Sequence, residues 1–395
     1  MRYIALVAAL CAALNTNAQT ENEFGSLRFK EDGTFQISIF EDLHFGENAW
    51  DSWGPEHDLR SVGVINNVLD AESPDLVVLN GDLITGENGF LENATVYIDQ
   101  IVAPLVDRGL TWASTYGNHD HQYNLSATDL LARENQYPNS RTQHMVMDKN
   151  AGVTNYYLPV LSSAGDGVPS LILWFFDSRG GNYFRDLAEP DTPQPNWVDQ
   201  SVVTWFSETS AALSAQYGKT IPSLAFVHIP TNASLAAQTM DGINPTTEPG
   251  INEDYPLAQQ GQGWCEDNTN SPECSYGGQD VPFMKALVET PGVLGVFSGH
   301  DHGATWCYRW SNQIPGLGFN GQGLNICFGQ HSGYGGYGTW IRGSRQISIS
   351  EEALARSELE TWIRLEDASV VGAVSLNETY GVDIYPETPN DHTGN

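Results

Sequence analysis

Five short apolar runs along the chain each end at a polar residue of a kind that binds metals. The runs are β-branched or aromatic and long enough for one buried strand each: QISIF, DLVVLN, TWASTY, SLAFV and VLGVF. In open α/β sheets the ends of such strands form the edge where ligands bind, so we expect the polar residues to lie together. They are Asp42, His44, Asp82, Asn118, His119, Asp120, His228, His300 and His302.

Helical spacing between these runs predicts crossover connections. Apolar residues recur at helical spacing over residues 57–69, and further helices are predicted over 96–108 and 197–217. Residues 26–40 are interpreted as a β-hairpin turning at 31–33, residues 171–176 as another strand, and residues 345–376 as strands that close a second sheet. The alternation of strands and helices predicts a layered α/β fold rather than an all-β sandwich.

The beginning of the chain has the composition of a signal peptide. One Arg precedes an apolar stretch that is too short to span a membrane, and small residues follow up to Ala18. We therefore expect residues 1–18 to be a signal peptide, 22–385 a single domain and 386–395 a disordered tail. Because no later segment reaches spanning length, the mature protein is expected to be secreted.

Cys11 lies in the predicted signal peptide, and the four cysteines that follow it indicate disulfide bonds. No close C-x-x-C pair exists and an exported chain meets an oxidising compartment, so a cysteine metal site is disfavoured. Four cysteines allow three pairings, of which the local ones are the simplest: Cys265 with Cys274 and Cys307 with Cys327. If the host is eukaryotic, a glycoprotein is expected, with N-x-S/T acceptors at Asn93, Asn124, Asn232 and Asn377.

The charge balance excludes one class of partner. Asp and Glu number 49 against 17 Lys and Arg, which gives a net charge of −32. Binding to nucleic acid needs clustered cations, so no nucleic-acid patch is expected. The simplest interpretation of this negative charge is the solvated acidic surface of an exported protein. With 40% hydrophobic residues the chain can still bury a substantial core.

The residue types at the strand ends favour a pair of metal ions. Carboxylates mixed with imidazoles and one amide suit two divalent cations such as Zn, Mn or Fe. Two such ions about 3.5–4 Å apart can hold a phosphate oxygen, activate a water and stabilise a leaving oxygen. A carboxylate must lie between them, because an anion offsets two close cations while binding both.

The order of these motifs resembles that of a known family. Asp42-x-His44, Gly81-Asp82, Gly117-Asn118-His119-Asp120, His228 and Gly299-His300-Asp301-His302 follow one another as in the calcineurin-like metallophosphoesterases. Over residues 35–349 the chain is most similar to the non-purple branch of fungi and plants, whose plant members are named inactive-type purple acid phosphatases. The resemblance implies a four-layer α/β/β/α sandwich with two mixed β-sheets.

The resemblance also implies roles for individual residues. Asp82 would bridge the two metals, Asp42, His44 and His302 would complete one of them, and Asn118, His228 and His300 the other. His119 would donate a proton to the leaving group, oriented by Asp120. In purple enzymes a Tyr stands three residues after the bridging Asp; here Thr85 stands there, which favours two divalent ions over a coloured ferric site.

Some side chains near the motifs have further predicted roles. His119 and His331 are expected to bind substrate, and His121 is a further candidate for a phosphate contact when protonated. Asp177 ends the strand at 171–176 and is expected to serve a turn or helix cap. The long stretch 231–281 is predicted to be a loop that shapes a binding mouth.

The leading functional hypothesis is a secreted dinuclear-metal phosphatase that hydrolyses phosphomonoesters by metal-hydroxide attack on phosphorus. Its partners would be small-molecule or macromolecular phosphate esters. The alternative is a phosphodiesterase acting on nucleotides or lipid headgroups with the same site. A third hypothesis, a catalytically dead binding or storage protein, would be favoured by a lost ligand, and the motifs retain all seven. The sequence leaves the substrate, the metal and the oligomeric state open.

Overall fold

Twelve strands and seven α-helices make up the computed structural model of the protein, which describes residues 25–185 and 192–393. The predicted signal peptide, residues 1–18, lies outside the described residues. Numbered along the chain, the strands are β1 (Thr34–Phe40), β2 (Leu76–Asn80), β3 (Trp112–Thr115), β4 (Tyr156–Leu161), β5 (Pro169–Phe176), β6 (Ser223–Val227), β7 (Val293–Ser298), β8 (Cys307–Trp310), β9 (Leu324–Phe328), β10 (Gly343–Ser350), β11 (Leu359–Leu365) and β12 (Val370–Leu376).

The α-helices lie in the connections between the strands. They are α1 (Trp53–Ala71), α2 (Tyr97–Asp107), α3 (Ala127–Glu134), α4 (Gln200–Tyr217), α5 (Asn232–Ala236), α6 (Val281–Glu289) and α7 (Glu351–Leu354). A 3₁₀ turn (Ala94–Val96) precedes α2 and a π-helical turn (Ala237–Asp241) follows α5. Among the described residues, no helix is both long and apolar enough to cross a membrane.

Both sheets are mixed, as predicted. The first has the order β12-β11-β10-β1-β2-β3, in which β1, β2 and β3 are parallel. The second has the order β4-β5-β6-β7-β9-β8, in which β5, β6, β7 and β9 are parallel. Every residue of β2 and β6 is buried, as expected for parallel strands covered on both faces. The carboxyl ends of the parallel strands therefore form one edge in each sheet.

The layers follow the order α/β/β/α. Residues of both sheets, such as Ile37 and Phe226, form one core between the inner faces. On the outer face of the first sheet, Ile65 of α1 packs in a second core with α2, α3 and β2. On the outer face of the second sheet, Phe206 of α4 packs edge-on against Trp174 with ring centroids 4.9 Å apart. The predicted four-layer sandwich is confirmed.

Local sequence explains where the main helices begin and end. α1 starts four residues before the predicted position, because Pro55 is tolerated in a first turn, where its missing N–H has no helical partner. α2 contains Pro104 and ends three residues later, at Asp107. α4 is capped at its start by Asp199, whose carboxylate accepts from Ser201 N, and at its end by Gly218, which has a φ of 65°.

The predicted hairpin over residues 26–40 is wrong in its pairing. A turn does form, since Gly33 N donates to Lys30 O at 2.9 Å. The residues before it join the other sheet, where Phe29 N donates to Leu161 O at 2.9 Å. β1 instead pairs with β10 on one edge and with β2 on the other, so neither edge is free for the residues before the turn.

The predicted disordered tail, residues 386–395, also differs from the structure. Ile341 N donates to Asp391 O at 2.9 Å and Thr393 N donates to Thr339 O at 2.8 Å. The Trp340 ring lies 6.1 Å from that of His392. Residues 391–393 of the tail are therefore paired with residues 339–341.

Both local disulfide pairings are confirmed. Cys307 and Cys327 lie directly opposite each other on β8 and β9. Cys265 and Cys274 close a loop within the stretch 231–281. That stretch was predicted to be one long loop, but it begins with α5 and the π-helical turn.

Candidate metal centre

The seven predicted ligands all follow parallel strands, and they come from both sheets. Because the carboxyl ends of β1, β2, β3, β6 and β7 face one another, the loops after them meet in one place. Three overlapping groups result, and within each the ligand atoms lie within 4.8 Å of one another. The groups are Asp42, His44 and His302; His44, Asp82 and His119; and Asp82, His228 and His300.

Asp82 lies at the centre of this arrangement. Its Oδ2 is 2.8 Å from His228 Nε2 and 3.9 Å from His44 Nε2, so one carboxylate touches both halves of the site. Its Oδ1 accepts from the backbone N of His119 at 2.8 Å. Asp42 Oδ1 lies 3.5 Å from His302 Nε2 and 3.7 Å from His228 Nε2. Both carboxylates are almost fully buried.

The histidine tautomers fit a metal site. His302 Nδ1 donates to Tyr337 O at 2.7 Å, and His228 Nδ1 donates to Asn80 O at 2.9 Å. A carbonyl can only accept, so each Nδ1 carries the proton and each neutral ring turns its Nε2 lone pair inward. The inward nitrogens of His44 and His302 then face each other at 3.2 Å, a close approach that a shared cation would stabilise.

A buried amide oxygen points to the same conclusion. Asn118 Oδ1 is buried and has no hydrogen-bond partner within the residues that the structure describes. His228 Nε2 likewise lies close to Asp82 without hydrogen-bond geometry. An unsatisfied buried polar atom is costly, by about 1–3 kcal/mol, and ligation of a cation removes that cost. The donor set therefore fits divalent cations.

The candidate site is strongly polarised. Burial disfavours the charge of His228, but Asp82 and Asp42 outweigh it and raise its pKa to about 10. Burial lowers the pKa of His300 to about 4, with the neighbouring His228 adding to the effect. Asp82 has its pKa held well below the ordinary value because His228 and His119 outweigh the cost of burial. The buried carboxylates thus favour positive charge beside them.

The backbone at the site adopts an uncommon conformation. Asp42, His44, Asp82 and His300 have φ values of 52°, 50°, 50° and 76°, in the left-handed region that non-glycine residues seldom occupy. Such residues persist where the surrounding structure over-determines them, often at functional sites. Here the left-handed residues turn four side chains toward one point.

Glycines allow the loops to approach closely. A Cβ on Gly117 would lie 2.3 Å from Asp82 Oδ1 and 2.5 Å from His228 Cδ2. A Cβ on Gly336 would lie 2.4 Å from His302 Cε1. Gly117 and Gly336 are therefore needed for space.

A family model for calcineurin-like phosphoesterases matches residues 42–304, two thirds of the chain. The chain belongs to the calcineurin-like phosphoesterase family. The matched range starts at Asp42 and includes all seven predicted ligands, so the family assignment and the geometry refer to the same residues.

Relatives in plants and yeast share most of the chain. A protein of Arabidopsis thaliana named probable inactive purple acid phosphatase 14 is 27% identical, over 91% of this chain and 88% of its own length. Phosphatase DCR2 of Saccharomyces cerevisiae is 29% identical over 86% of this chain and 56% of its own length. A dimetal phosphatase from Danio rerio superposes with a TM-score of 0.49 at 13% identity, covering 87% of this chain and 98% of that one.

Thr85 has a defined place in this phosphoesterase. Its Oγ1 lies 3.1 Å from His44 Nδ1, and its side chain is buried. The contact fixes the orientation of the His44 ring, which keeps Nε2 pointed at the site. The position where purple enzymes carry a metal-binding Tyr thus holds a residue that supports a histidine.

The predicted role of Asp120 is wrong. Its carboxylate accepts from the backbone N of Leu83 at 3.0 Å, of Ile84 at 3.0 Å and of Gly117 at 2.9 Å, and it makes no hydrogen bond to His119. Because neighbouring side chains of the loop diverge, Asp120 points inward and joins the loops after β2 and β3. Burial and the nearby Asp82 raise its pKa to about 7.

His119 is instead paired with a residue that the sequence did not reveal. Its Nδ1 lies 2.5 Å from Oε1 of Glu87, in the loop after β2. Burial opposes the charge of His119, but Asp82 and Glu87 raise its pKa to about 9. Nothing in the sequence around Glu87 marks it, because its role arises from the packing of two loops.

The substrate contacts predicted for His331 and His121 are wrong. His331 is 1% exposed and its ring lies 3.9 Å from that of His302, behind the metal centre. His121 Nε2 lies 2.9 Å from Asp177 Oδ1, and both side chains are buried. Asp177 accepts from Arg179 N at 2.8 Å, as expected of a turn residue, and also from Val153 N at 2.6 Å, which ties the turn to a neighbouring loop. Both histidines are therefore held by neighbouring side chains rather than exposed to solvent.

Replacing Gly117 with Ala tests the close packing at Asp82. Because the new Cβ would collide with the Asp82 carboxylate, we expect Gly117→Ala to lower metal affinity by about 10- to 100-fold, as loss of supporting contacts does at other metal sites. Metal quantification after dialysis gives the readout. Gly63→Ala is the matched control, since Gly63 lies in α1 with open space around it and the change should raise stability by about 0.5–1 kcal/mol. Equal metal content in both variants would contradict the steric argument.

Proposed function

We propose that this chain is a secreted phosphatase that hydrolyses phosphomonoesters at a dinuclear metal centre. The observation that carries the proposal is the position of Asp82, which touches ligand groups from both sheets through one carboxylate. Membership of the phosphoesterase family agrees with phosphate-ester hydrolysis as the reaction class.

The ligand assignment follows from the three groups of side chains. Asp42, His44 and His302 would hold one cation, and His228, His300 and Asn118 the other. Asp82 would bridge them. When bound, the two cations would supply an activated water and neutralise charge on the phosphoryl oxygens. Zn, Mn and Fe all suit these ligands.

His119 would act on the leaving group. Its ring is 30% exposed and lies edge-on to His44, with centroids 4.9 Å apart, so it borders both the metal centre and solvent. Glu87 lies 2.5 Å from Nδ1 on one side of the imidazole, and its carboxylate favours the protonated ring. A protonated imidazole at this position can donate to the departing alkoxide.

An active enzyme is favoured although several relatives are named inactive. Every side chain needed to hold two cations is in place, including the bridging carboxylate, and the metal-facing lone pairs are oriented by second hydrogen bonds. A protein that had lost catalysis would not need to retain this arrangement of strained backbone and buried charge.

Export is supported by two independent features. The first 18 residues have the pattern of a signal peptide, and both disulfides suit an oxidising compartment. We expect the full chain expressed in a secreting host to appear in the medium, and a chain lacking residues 2–18 to stay inside the cell. Detection of both forms by immunoblot checks this, and retention of the full chain would contradict export.

The phosphatase activity itself is tested with the metal-loaded protein. We expect phosphate release from p-nitrophenyl phosphate that falls by more than about 100-fold in Asp82→Asn, with a parallel loss of bound metal, because the bridging charge is removed. Asp129→Asn, the same change on the exposed face of α3, should retain both. Unchanged activity in Asp82→Asn would remove the dinuclear assignment, and faster hydrolysis of bis-p-nitrophenyl phosphate would assign a phosphodiesterase.

The role of His119 makes a separate prediction about leaving groups. We expect His119→Gln to slow hydrolysis of an alkyl phosphate by about 10²–10⁴-fold, the usual contribution of general acid catalysis. Hydrolysis of p-nitrophenyl phosphate should fall much less, because p-nitrophenolate departs without a proton. The backbone bond from residue 119 to Asp82 survives the change, so metal content should stay constant. An equal loss for both substrates would argue against proton donation.

A further inference from the structure

An open cleft lies beside the metal centre and plays no part in the reaction described above. Its volume is 610 Å³, within the range of small-molecule sites. One wall is the first turns of α1, where Trp53, His57 and Arg60 share a helix face at spacings of four and three residues. The other wall is the loop 334–339. We call this space the aromatic cleft.

The aromatic cleft and the metal centre share a thin wall. Tyr337 stacks on the ring of His302 with centroids 4.0 Å apart and an interplanar angle of 10°. Gly336 N donates to Glu47 Oε2 at 2.7 Å, and the glycine leaves no side chain between the cleft and His302. A Cβ on Gly336 would also lie 3.0 Å from His44 Nε2, so this glycine borders both the cleft and the predicted metal-facing nitrogen of His44.

The lining presents flat aromatic surface. Trp53 is 37% and Tyr337 is 49% exposed, and the His57 ring packs edge-on to Trp53 at 5.0 Å. Tyr334 forms the inner end, covered by the Arg60 guanidinium 3.6 Å from its ring centroid. Exposed aromatic surface in a concave site is where planar groups bind by stacking.

We infer that the aromatic cleft binds the alcohol portion of the substrate and selects phosphomonoesters whose alcohol carries a planar aromatic ring. Nucleosides and aryl alcohols share this chemistry. The inference rests on the proposed phosphatase function, which places the phosphate at the metals and leaves the alcohol to the neighbouring cleft. Glu56 also lines the cleft, and its carboxylate disfavours a second phosphate there.

The experiment compares AMP, phosphotyrosine and glycerol phosphate as substrates of the metal-loaded protein. Wild-type protein should show a lower KM for the first two. Trp53→Ala should raise that KM by roughly tenfold, the typical effect of removing one stacking partner, and leave glycerol phosphate unaffected. Trp53→Phe should retain the preference. Leu59→Ala is the matched control, since Leu59 lies on the same helix, is 70% exposed and does not line the cleft.

The outcomes separate this inference from the proposed function. Hydrolysis of all three esters with equal KM, or equal effects of Trp53→Ala on all three, overturns the cleft's role while the phosphatase assignment stands. An effect on AMP alone identifies nucleosides as the ligand, and an effect on phosphotyrosine alone identifies aryl alcohols. Calorimetry with adenosine and with tyrosine needs no turnover: binding to wild type that is lost in Trp53→Ala supports the cleft, and absence of binding to wild type overturns it.

Discussion

One contact between the two sheets determines the site: Asp82, after β2 of the first sheet, lies 2.8 Å from His228, after β6 of the second. Neither sheet holds a complete set of predicted ligands. The first sheet carries Asp42, His44, Asp82 and Asn118, and the second carries His228, His300 and His302. The shared apolar core, in which Ile37 faces Phe226, keeps the two sheets together. Packing that is hydrophobic and non-directional thus places a polar site whose distances must be accurate to fractions of an ångström.

Local backbone geometry adds the accuracy that sheet packing alone cannot supply. Residues in the left-handed region cost on the order of 1–3 kcal/mol each when they are not glycine, and four predicted ligands adopt it. Hydrogen bonds to backbone N–H groups offset this cost, and Asp120 alone accepts three, from residues in the loops after β2 and β3. These hydrogen bonds fix the positions of the loops that carry the predicted ligands, which is the condition for electrostatic catalysis by preorganised groups.

Errors in the sequence-based predictions share a physical cause. The strands and the polar residues that follow them were predictable because an apolar run that stops at a polar residue is a local pattern. The hairpin over 26–40, the orienting role of Asp120 and the substrate contact of His331 each required knowledge of what lies across from the residue. Leu161 competes for the first arm of the hairpin, backbone amides compete for Asp120, and the loop at 333–336 covers His331. Glu87 and Trp53 had no local signal at all.

The sequence by itself determined the layered α/β class, the family and the residue types at the strand ends, since each depends on residue identity and short-range spacing, and it favoured the two local disulfide pairs without fixing them. The tertiary structure decided which carboxylate pairs with His119, which histidines reach solvent, and that the start of α1 and the loop 334–339 enclose a cleft beside the metals. These features depend on contacts between residues far apart in the chain, whose geometry follows from the packing of the whole fold.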